Sequence, residues 1–582
     1  MDTYRGGGPA SPAELAALAD IPEGAPSDQL LPALHALNDY VGWISRPGLD
    51  EVTRRIEVAP AVAFGVASFY AMFSTTPRPP TVAYVCDDVP CRLAGAVENI
   101  AALLARVGTP GSPRDDAVWE SSPCLGLCDF APAALVDGRA VGAAGSSAVA
   151  DALASVVAAR RRAGGPPRVG GPPRPHIAAI GPAPLLRRVL AGVDAQDLDA
   201  YAAHGGLAGL RAARGLGSYG ILTAIKASRL AGRGGAAFPA ATKWEAVAQH
   251  PARPHYVVVN ADESETGTFK DRILLEWDPY AVLEGAAIAA YACGAERIFI
   301  YIRGEYRHAQ ERLAHAIREV THRNAFGEAL GDDTRLAFEL RRGAGAYICG
   351  EETALLNSIE GKRGEPRSKP PFPVQHGLFG RPTVINNVET LACVPGILAD
   401  GADAFRTLGT PDSPGTKLFS VSGHVARPGV FEVPSGTTLR ALLDLAGGVR
   451  AGHRLRAVQC GGAAATMLGA ADLDLPLTAE GLRPRGATVG SGAIVVLDET
   501  ADILDMIRRG AEFFAHESCG QCVPCRIGTQ RQVELLSRLA AGEDVSGLLG
   551  EVALAMRDAS ICGLGQTAAS MVQSGLRHLR AP

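Results

Sequence analysis

Eight of the twelve cysteines fall into two sets that only a folded-back chain can complete. Cys86 and Cys91 are separated by four residues, and Cys124 and Cys128 by three. Two pairs, each closed by a short loop, suit an iron–sulfur cluster, in which each iron takes two thiolates from nearby backbone. Structural zinc prefers CxxC spacing and is the weaker reading. Toward the other end, Cys519, Cys522 and Cys525 follow CxxCxxC spacing and can hold three irons of a cubane on one loop. The fourth ligand then has to be Cys562, 37 residues on. The intervening chain is expected to return as a helical hairpin, with helices over Gln530–Leu539 and from Ser546, as N-cap, to Met556. The other cysteines, Cys293, Cys349, Cys393 and Cys460, are scattered and read as small buried apolar residues.

Between the two sets lies a stretch that is hard to read as core packing. Gly343 to Asn387 opens with small residues that let backbone approach a bulky ligand. It then places Tyr347, Gly350, Glu351 and Glu352 close together, adds Lys362, Arg363, Arg367 and Lys369 among rigid prolines, and closes on Asn386-Asn387. Upstream, GRGGAAFPAATKW from Gly232 to Trp244 is a Gly-rich turn before a helix, where backbone N–H groups can face a phosphate. About a dozen residues later, Tyr256-Val-Val-Val259 reads as a buried strand. It ends in a polar cluster, Asn260-Ala-Asp262-Glu263-Ser-Glu265 through Lys270-Asp271-Arg272. Open α/β sheets bind ligands at the carboxyl ends of their strands, so the order of these motifs marks a site.

These motifs resemble the FMN- and NADH-binding core of the diaphorase subunit shared by respiratory complex I, NAD-reducing hydrogenases and NAD-linked formate dehydrogenases. The resemblance implies that Gly232, Arg233, Gly234, Gly235 and Lys243 cradle FMN, and that Asn260, Asp262 and Glu263 face its ring. By the same resemblance Gly350, Glu351, Asn386 and Asn387 surround the flavin. Tyr347, Glu352, Glu265, Lys369 and Phe372 border the NAD(H) pocket. Acidic Glu265 and Glu352 would repel a 2′-phosphate and offer acceptors to a ribose diol, which implies NAD(H) over NADP(H). Ala237 and Ala241 stand where the family pattern commonly has Gly, and Thr266 replaces a common Pro; an added methyl is expected to tighten the flavin pocket. Residues 10–155 resemble the thioredoxin-like [2Fe–2S] subunit of complex I, with Cys86, Cys91, Cys124 and Cys128 as ligands. Cys519, Cys522, Cys525 and Cys562 would hold a [4Fe–4S] cluster, with Arg526 offsetting its charge.

At 582 residues the chain has room for about three to five domains. The expected architecture is multidomain α/β, beginning with N-terminal helices over 1–78, among them a buried helix over Ala61–Phe73, and a thioredoxin-like domain over 79–158. A Gly/Pro-rich linker follows over 159–180, then the α/β FMN/NADH-binding domain over 181–412. A ubiquitin-like β-grasp insert over 413–500, read as free of chemistry, precedes a helical [4Fe–4S] bundle over 501–582. Ser11-Pro12-Ala13-Glu14 carries a capping-box signature. A net charge of −5 gives no footprint for nucleic acid. No apolar run spans a membrane and no secretory signal opens the chain, so a cytoplasmic location is expected.

The combined resemblances imply an FMN-dependent NAD(H) oxidoreductase subunit in a hetero-oligomer, working by positioning rather than acid–base groups. Fusion of the two modules resembles the β subunit of soluble Mo/W formate dehydrogenases, or the diaphorase chain of NAD-reducing [NiFe] hydrogenases. RDASICGLGQ around Cys562 is closer to the formate dehydrogenase version. The expected partner is therefore a Mo- or W-containing α subunit, with hydrogenase subunits or a fused complex I subunit as the alternative. A different class, an iron–sulfur relay or assembly subunit with a decayed flavin pocket, is separated from these by its FMN content.

Overall fold

Ser11 caps the first helix, Pro12–Ala17, as its sequence dictates: its hydroxyl accepts from Glu14 N, while the Glu14 carboxylate takes the Ser11 N–H at 2.7 Å. The computed structural model describes residues 8–142, 146–163, 171–331, 336–464 and 466–579. Helices Leu30–Val41, Arg46–Ile56 and Pro60–Ala67 complete the N-terminal module. The last differs from the buried helix expected over Ala61–Phe73: it stops at Ala67, and Val62 and Phe64 are half exposed. The chain leaves the helix to meet a partner. Ala71 N and Met72 N donate to the carbonyls of Gly345 and Ala344, in the glycine-rich stretch.

Strand β1 (Thr81–Cys86) runs into the first cysteine pair and β2 (Ala117–Ser122) into the second. β2 carries Ala-Val-Trp-Glu-Ser-Ser, without alternation, so periodicity does not reveal it. β1 pairs in parallel with β2 and antiparallel with β3 (Ala134–Val136), which in turn pairs with β4 (Arg139–Val141). Helices Ala96–Val107 and Ser146–Ala163 cover this sheet. The stretch read as linker is more structured than its composition suggests. The Ser146–Ala163 helix extends into it, residues 164–170 lie outside the described residues, and β5 (Ile177–Ala179) pairs with a later strand.

The central sheet is built from β6 (His255–Ala261), β7 (Ala295–Ile302), β8 (Ala337–Arg342) and β9 (Thr383–Asn387), all parallel in the order β8-β7-β6-β9. Val257, Val258 and Val259 are fully buried, as expected of a parallel strand covered on both faces. Helix Pro279–Cys293 is buried nearly all round and crosses helix Val388–Asp400 at Gly285, where a Cβ would stand 2.0 Å from the Leu391 carbonyl. Because every strand points the same way, the polar ends of β6 and β9 share one edge.

The insert forms a six-stranded mixed sheet. β10 (Thr416–Gly423) and β11 (Gly429–Pro434) make the expected hairpin, and β12 (Leu455–Cys460), β13 (Thr466–Leu468) and β14 (Ala493–Asp498) complete the order β13-β12-β14-β10-β11-β5. The Leu439–Leu445 helix, capped by Thr438, packs on it. The C-terminal bundle comprises Ile503–Glu517, Val523–Ala540, Ser546–Ala559 and Ser570–Leu579. Here the helix expected over Gln530–Leu539 starts at Val523, directly after Cys522. Ser546 is the first helical residue, with Val545 in the cap position. No helix among the described residues is long and apolar enough to cross a membrane.

Buried charges fasten the modules to one another. Both carboxylate oxygens of Asp129, in the second cysteine loop, accept from Arg272 at 2.7 Å, and both side chains are 1% exposed. Glu432 of β11 accepts from Leu185 N, Leu186 N and the Thr416 hydroxyl, joining the insert to residue 185. Burial outweighs these donors and pushes its carboxyl up to about 7 from an ordinary 4.5. The folded chain thus keeps a proton that the unfolded chain loses, and stability drains away as pH rises from about 4.5 to about 7. Glu432→Gln cannot ionise. Its melting temperature should climb relative to the native chain between about pH 5 and about pH 8, by an amount worth roughly 1–3 kcal/mol. An offset that stays constant across that range would contradict the assignment.

Candidate functional site

The ends of β6 and β9 open on a cavity of about 410 Å³. Of the residues anticipated from sequence, Gly234, Gly235, Asn260, Asp262, Glu263, Glu265, Tyr347, Gly350, Glu351 and Asn387 line it. Gly232 N closes the turn on the Phe238 carbonyl at 2.8 Å. Lys243, Glu352 and Lys369 form a charge chain with Glu351 instead of lining the cavity: Lys243–Glu352 is 2.8 Å, Lys369–Glu352 2.8 Å and Lys369–Glu351 2.7 Å. Burial would raise the Glu352 carboxyl, but the two lysines hold it below its usual range. Its repulsion of a phosphate is thereby largely neutralised. Phe372 is half exposed. Asn386 turns inward and accepts from Trp244 Nε1 at 2.7 Å, and the Arg233 guanidinium points to the Pro414 carbonyl.

Neither alanine substitution narrows the cavity. Ala241 is buried in its helix, and Ala237 is exposed with φ of +51°. A left-handed backbone is where glycine costs nothing and alanine about 1 kcal/mol. The departure therefore strains the turn rather than tightening the pocket.

Three groups of lining residues carry no assigned role in the sequence reading. Lys270 and Asp271 stand in the polar cluster after β6 that the sequence marks as a site, but neither is given a role there. Gly461, Ala464, Thr488, Gly490 and Ser491 come from the β-grasp insert, so that domain walls the cavity rather than standing apart from it. Its signal was the pair of glycine clusters that interrupt the strands there. Gly563, Leu564 and Thr567 follow Cys562 and bring the fourth cysteine of the second set to the cavity wall.

The donor chemistry fits a phosphorylated, electron-accepting ring system. Beside the glycine turn, Lys270 bonds Asp271 at 2.7 Å and Glu389 at 2.8 Å, with Lys417 3.7 Å from the same carboxylate. Arg233, 7% exposed, leaves Nε without a partner. Three buried cations thus face two ionised carboxylates, since burial pushes Glu263, the third carboxyl acting on Lys270, up to about 7, and an anionic ligand would relieve the imbalance. Burial presses Lys417 down to about 8, in keeping with that surplus, and the three cations hold Glu389 low despite its burial. Asp262 Oδ2, enclosed with no hydrogen-bond partner, is a free acceptor at the cavity, and burial raises its carboxyl well above the usual range.

The cysteines are arranged for clusters rather than single ions. Cys124 Sγ and Cys128 Sγ lie 3.3 Å apart, Cys86 sits beside Cys91, and all four are buried. No three of these sulfurs converge within 4.8 Å: among the described residues that is met only by His453, Asp498 and Glu499, an ion-pair network already held by Arg450. One zinc at about 2.3 Å from four sulfurs would gather them all within about 4 Å. Two separated pairs suit a two-iron cluster. In the second set, Cys522 and Cys562 stand in the N-cap positions of Val523–Ala540 and Gly563–Thr567, so two positive helix ends point at the anionic site. Arg526 reaches back to the Gly520 carbonyl at 2.6 Å. Tyr347 ties this bundle to the cavity: its ring packs 5.1 Å from Phe513 and its N–H meets Glu517 at 2.8 Å.

Comparison with known proteins agrees with this geometry. Residues 225–396 match the Nuo51 FMN-binding domain, 505–582 the NADH-ubiquinone oxidoreductase-F iron-sulfur binding region, 16–157 the thioredoxin-like [2Fe-2S] ferredoxin and 418–464 the SLBB domain. The F-type subunit of NADH-quinone oxidoreductase from Streptomyces coelicolor is 46% identical over 413 residues, 70% of this chain and 92% of that one. The Mycobacterium tuberculosis protein of the same name is 48% identical over 369 residues, 62% of this chain and 83% of its own. A crystal structure of the NAD+-reducing [NiFe]-hydrogenase in the H2-reduced state superposes with a TM-score of 0.83 at 35% identity, covering 95% of this chain and 92% of that one. The chain belongs to the family of F-type NADH-quinone oxidoreductase subunits, as an NAD-dependent flavin and iron–sulfur protein with FMN, [2Fe–2S] and [4Fe–4S] sites.

Proposed function

We propose that this chain is the NAD(H)-handling subunit of a hetero-oligomeric formate dehydrogenase, passing electrons between NAD+/NADH and a Mo- or W-containing formate-oxidising partner. The observation that carries its role as a converter is one cavity walled both by the residues after Cys562 and by segment Asp262–Glu265, which abuts the other cysteine set. FMN, when bound, supplies the exchange of a hydride with nicotinamide and of single electrons with iron–sulfur centres. The chain's own residues hold and orient. The glycine turn with Lys270, Lys417 and Arg233 takes the phosphate, Asn260 and Asn387 fix the cavity edge through bonds to the Gly350 carbonyl and Asp271, and Tyr347 closes the side toward Cys519–Cys562. Lys243, Lys369 and Phe372 guide the nucleotide at the rim.

The RDASICGLGQ sequence around Cys562 supports the formate partner, while fusion of both modules in one chain fits either reading. A second reading, the diaphorase chain of an NAD-reducing hydrogenase, is favoured by the extent of the superposition with that enzyme. Metal analysis of the complex purified through this chain separates them. Mo or W with formate-dependent NAD+ reduction is the expected result, and Ni in their place overturns the formate assignment.

Glu265 is proposed to set the preference for NAD(H). Its carboxylate accepts from Ala464 N at 3.2 Å, and burial pushes it up to about 7. Below that pH it is neutral and cannot repel a 2′-phosphate; above it the repulsion is present. The native ratio of kcat/KM for NADH over NADPH should therefore grow between about pH 6 and about pH 8. Glu265→Gln should flatten that growth and raise NADPH use about tenfold at the higher pH. The 2′-phosphate itself titrates near about 6, and native and variant share that contribution, so their difference isolates Glu265. A variant with the native pH profile would exclude the role.

A further inference from the structure

Arg303 and Tyr306 link the cavity to the [2Fe–2S] cysteines without lining the cavity themselves. Arg303, immediately after β7 and 2% exposed, donates from Nη1 to the Glu263 carbonyl at 2.6 Å and from Nη2 to the Cys124 carbonyl at 2.7 Å. Glu263 lines the cavity and Cys124 belongs to the second cysteine pair. A single guanidinium therefore spans the two sites. It is held flat by Tyr306, whose ring lies 5.0 Å away, and paired with Glu305 at 2.9 Å. Tyr306 in turn donates to Glu263 Oε2 at 3.0 Å and fills the space beside Gly126, where a Cβ would stand 2.2 Å from its hydroxyl.

On the other cysteine pair the sign is reversed. Asp88, fully buried between Cys86 and Cys91, accepts from Val89 N at 2.8 Å and from the Thr266 hydroxyl at 2.6 Å. Thr266 is the residue that departs from the family's common proline, and its hydroxyl supplies a bond across the module boundary that proline cannot make. Two other buried guanidiniums near these loops pair with carboxylates, Arg272 with Asp129 and Glu276 and Arg509 with Asp87 and Glu512, as Arg303 does with Glu305. Arg303 alone among these three bonds the backbone of a cysteine that could hold the cluster.

We propose that Arg303 is a positioning residue that raises the reduction potential of the [2Fe–2S] site and fixes its approach to the flavin cavity, with Asp88 as the opposing charge. Taking up one electron adds one negative charge to a site that already carries four thiolates. A fixed cation bonded to the carbonyl of a ligand cysteine favours that state, less the part that Glu305 offsets, and a fixed carboxylate disfavours it, with little water to screen either. The inference concerns the flavin end of the chain and holds whichever partner supplies the electrons.

The test is an EPR-monitored redox titration of the purified complex, reading the [2Fe–2S] and [4Fe–4S] signals separately. Arg303→Gln should lower the reduced-to-oxidised ratio of the [2Fe–2S] signal about tenfold at fixed ambient potential, a shift of about 59 mV for a one-electron couple. Arg303→Lys, which keeps the charge, should recover most of that ratio, and Asp88→Asn should shift it the opposite way. The [4Fe–4S] signal should stay put in all three. Equal shifts in the Gln and Lys variants, or an Asp88→Asn shift that is absent or downward, would overturn the proposal even if the Gln variant fails to retain its cluster. A native complex without any [2Fe–2S] signal would instead refute the cofactor assignment, a separate failure.

Discussion

The structure turns on a knot of buried charge beneath the glycine turn. Lys270 comes from the helix after β6, Glu389 from the helix after β9 and Lys417 from β10 of the insert; Leu418 N also donates to Glu389 at 2.9 Å. Segments from two domains therefore meet at one carboxylate. Breaking a buried pair by removing one partner typically costs about 3–5 kcal/mol, because the other charge is left uncompensated. The knot fixes where the insert sits, and the insert in turn supplies Thr488 to Ser491 as a cavity wall. Its surplus positive charge also makes the site selective for an anion. Architecture and ligand preference thus have a common cause.

From that centre the two cysteine sets are reached through different kinds of contact. Toward the [4Fe–4S] cysteines the cavity wall is itself the chain after Cys562, backed by Tyr347 on Phe513. Toward the [2Fe–2S] cysteines the link runs through side chains, Arg303 and Thr266, across a boundary sealed by the Arg272–Asp129 pair. The N-terminal helices add backbone bonds from Ala71 and Met72 to the glycine-rich stretch. The fused module thus braces the segment that carries Tyr347 as well as presenting a cluster.

Local signals in the sequence were reliable where one residue type has one use. Cysteine spacing, the Ser11–Glu14 capping box, the valine run of β6 and the Leu439–Leu445 helix all appear as read. What failed depended on distant partners. Nothing in Ala61–Phe73 announces that residues 71 and 72 leave the helix to bond residues 344 and 345. Likewise the insert looked inert because its contribution is backbone and small side chains at glycine-rich loops, which acquire meaning only when the sheet is docked. Of the two acidic residues read together, Glu265 lines the cavity, whereas Glu352 stands outside it, answered by Lys243 and Lys369 in pairings that only the fold reveals.

NAD(H), flavin and both cluster sites are held to communicate within this one chain. Anaerobic titration of the purified chain with NADH, followed by flavin absorbance and EPR together, tests that most directly. Bleaching of the flavin accompanied by an iron–sulfur signal, with NADH as the sole reductant, is the predicted result. Flavin that stays oxidised under excess NADH, or bleaches with no iron–sulfur signal, would contradict it.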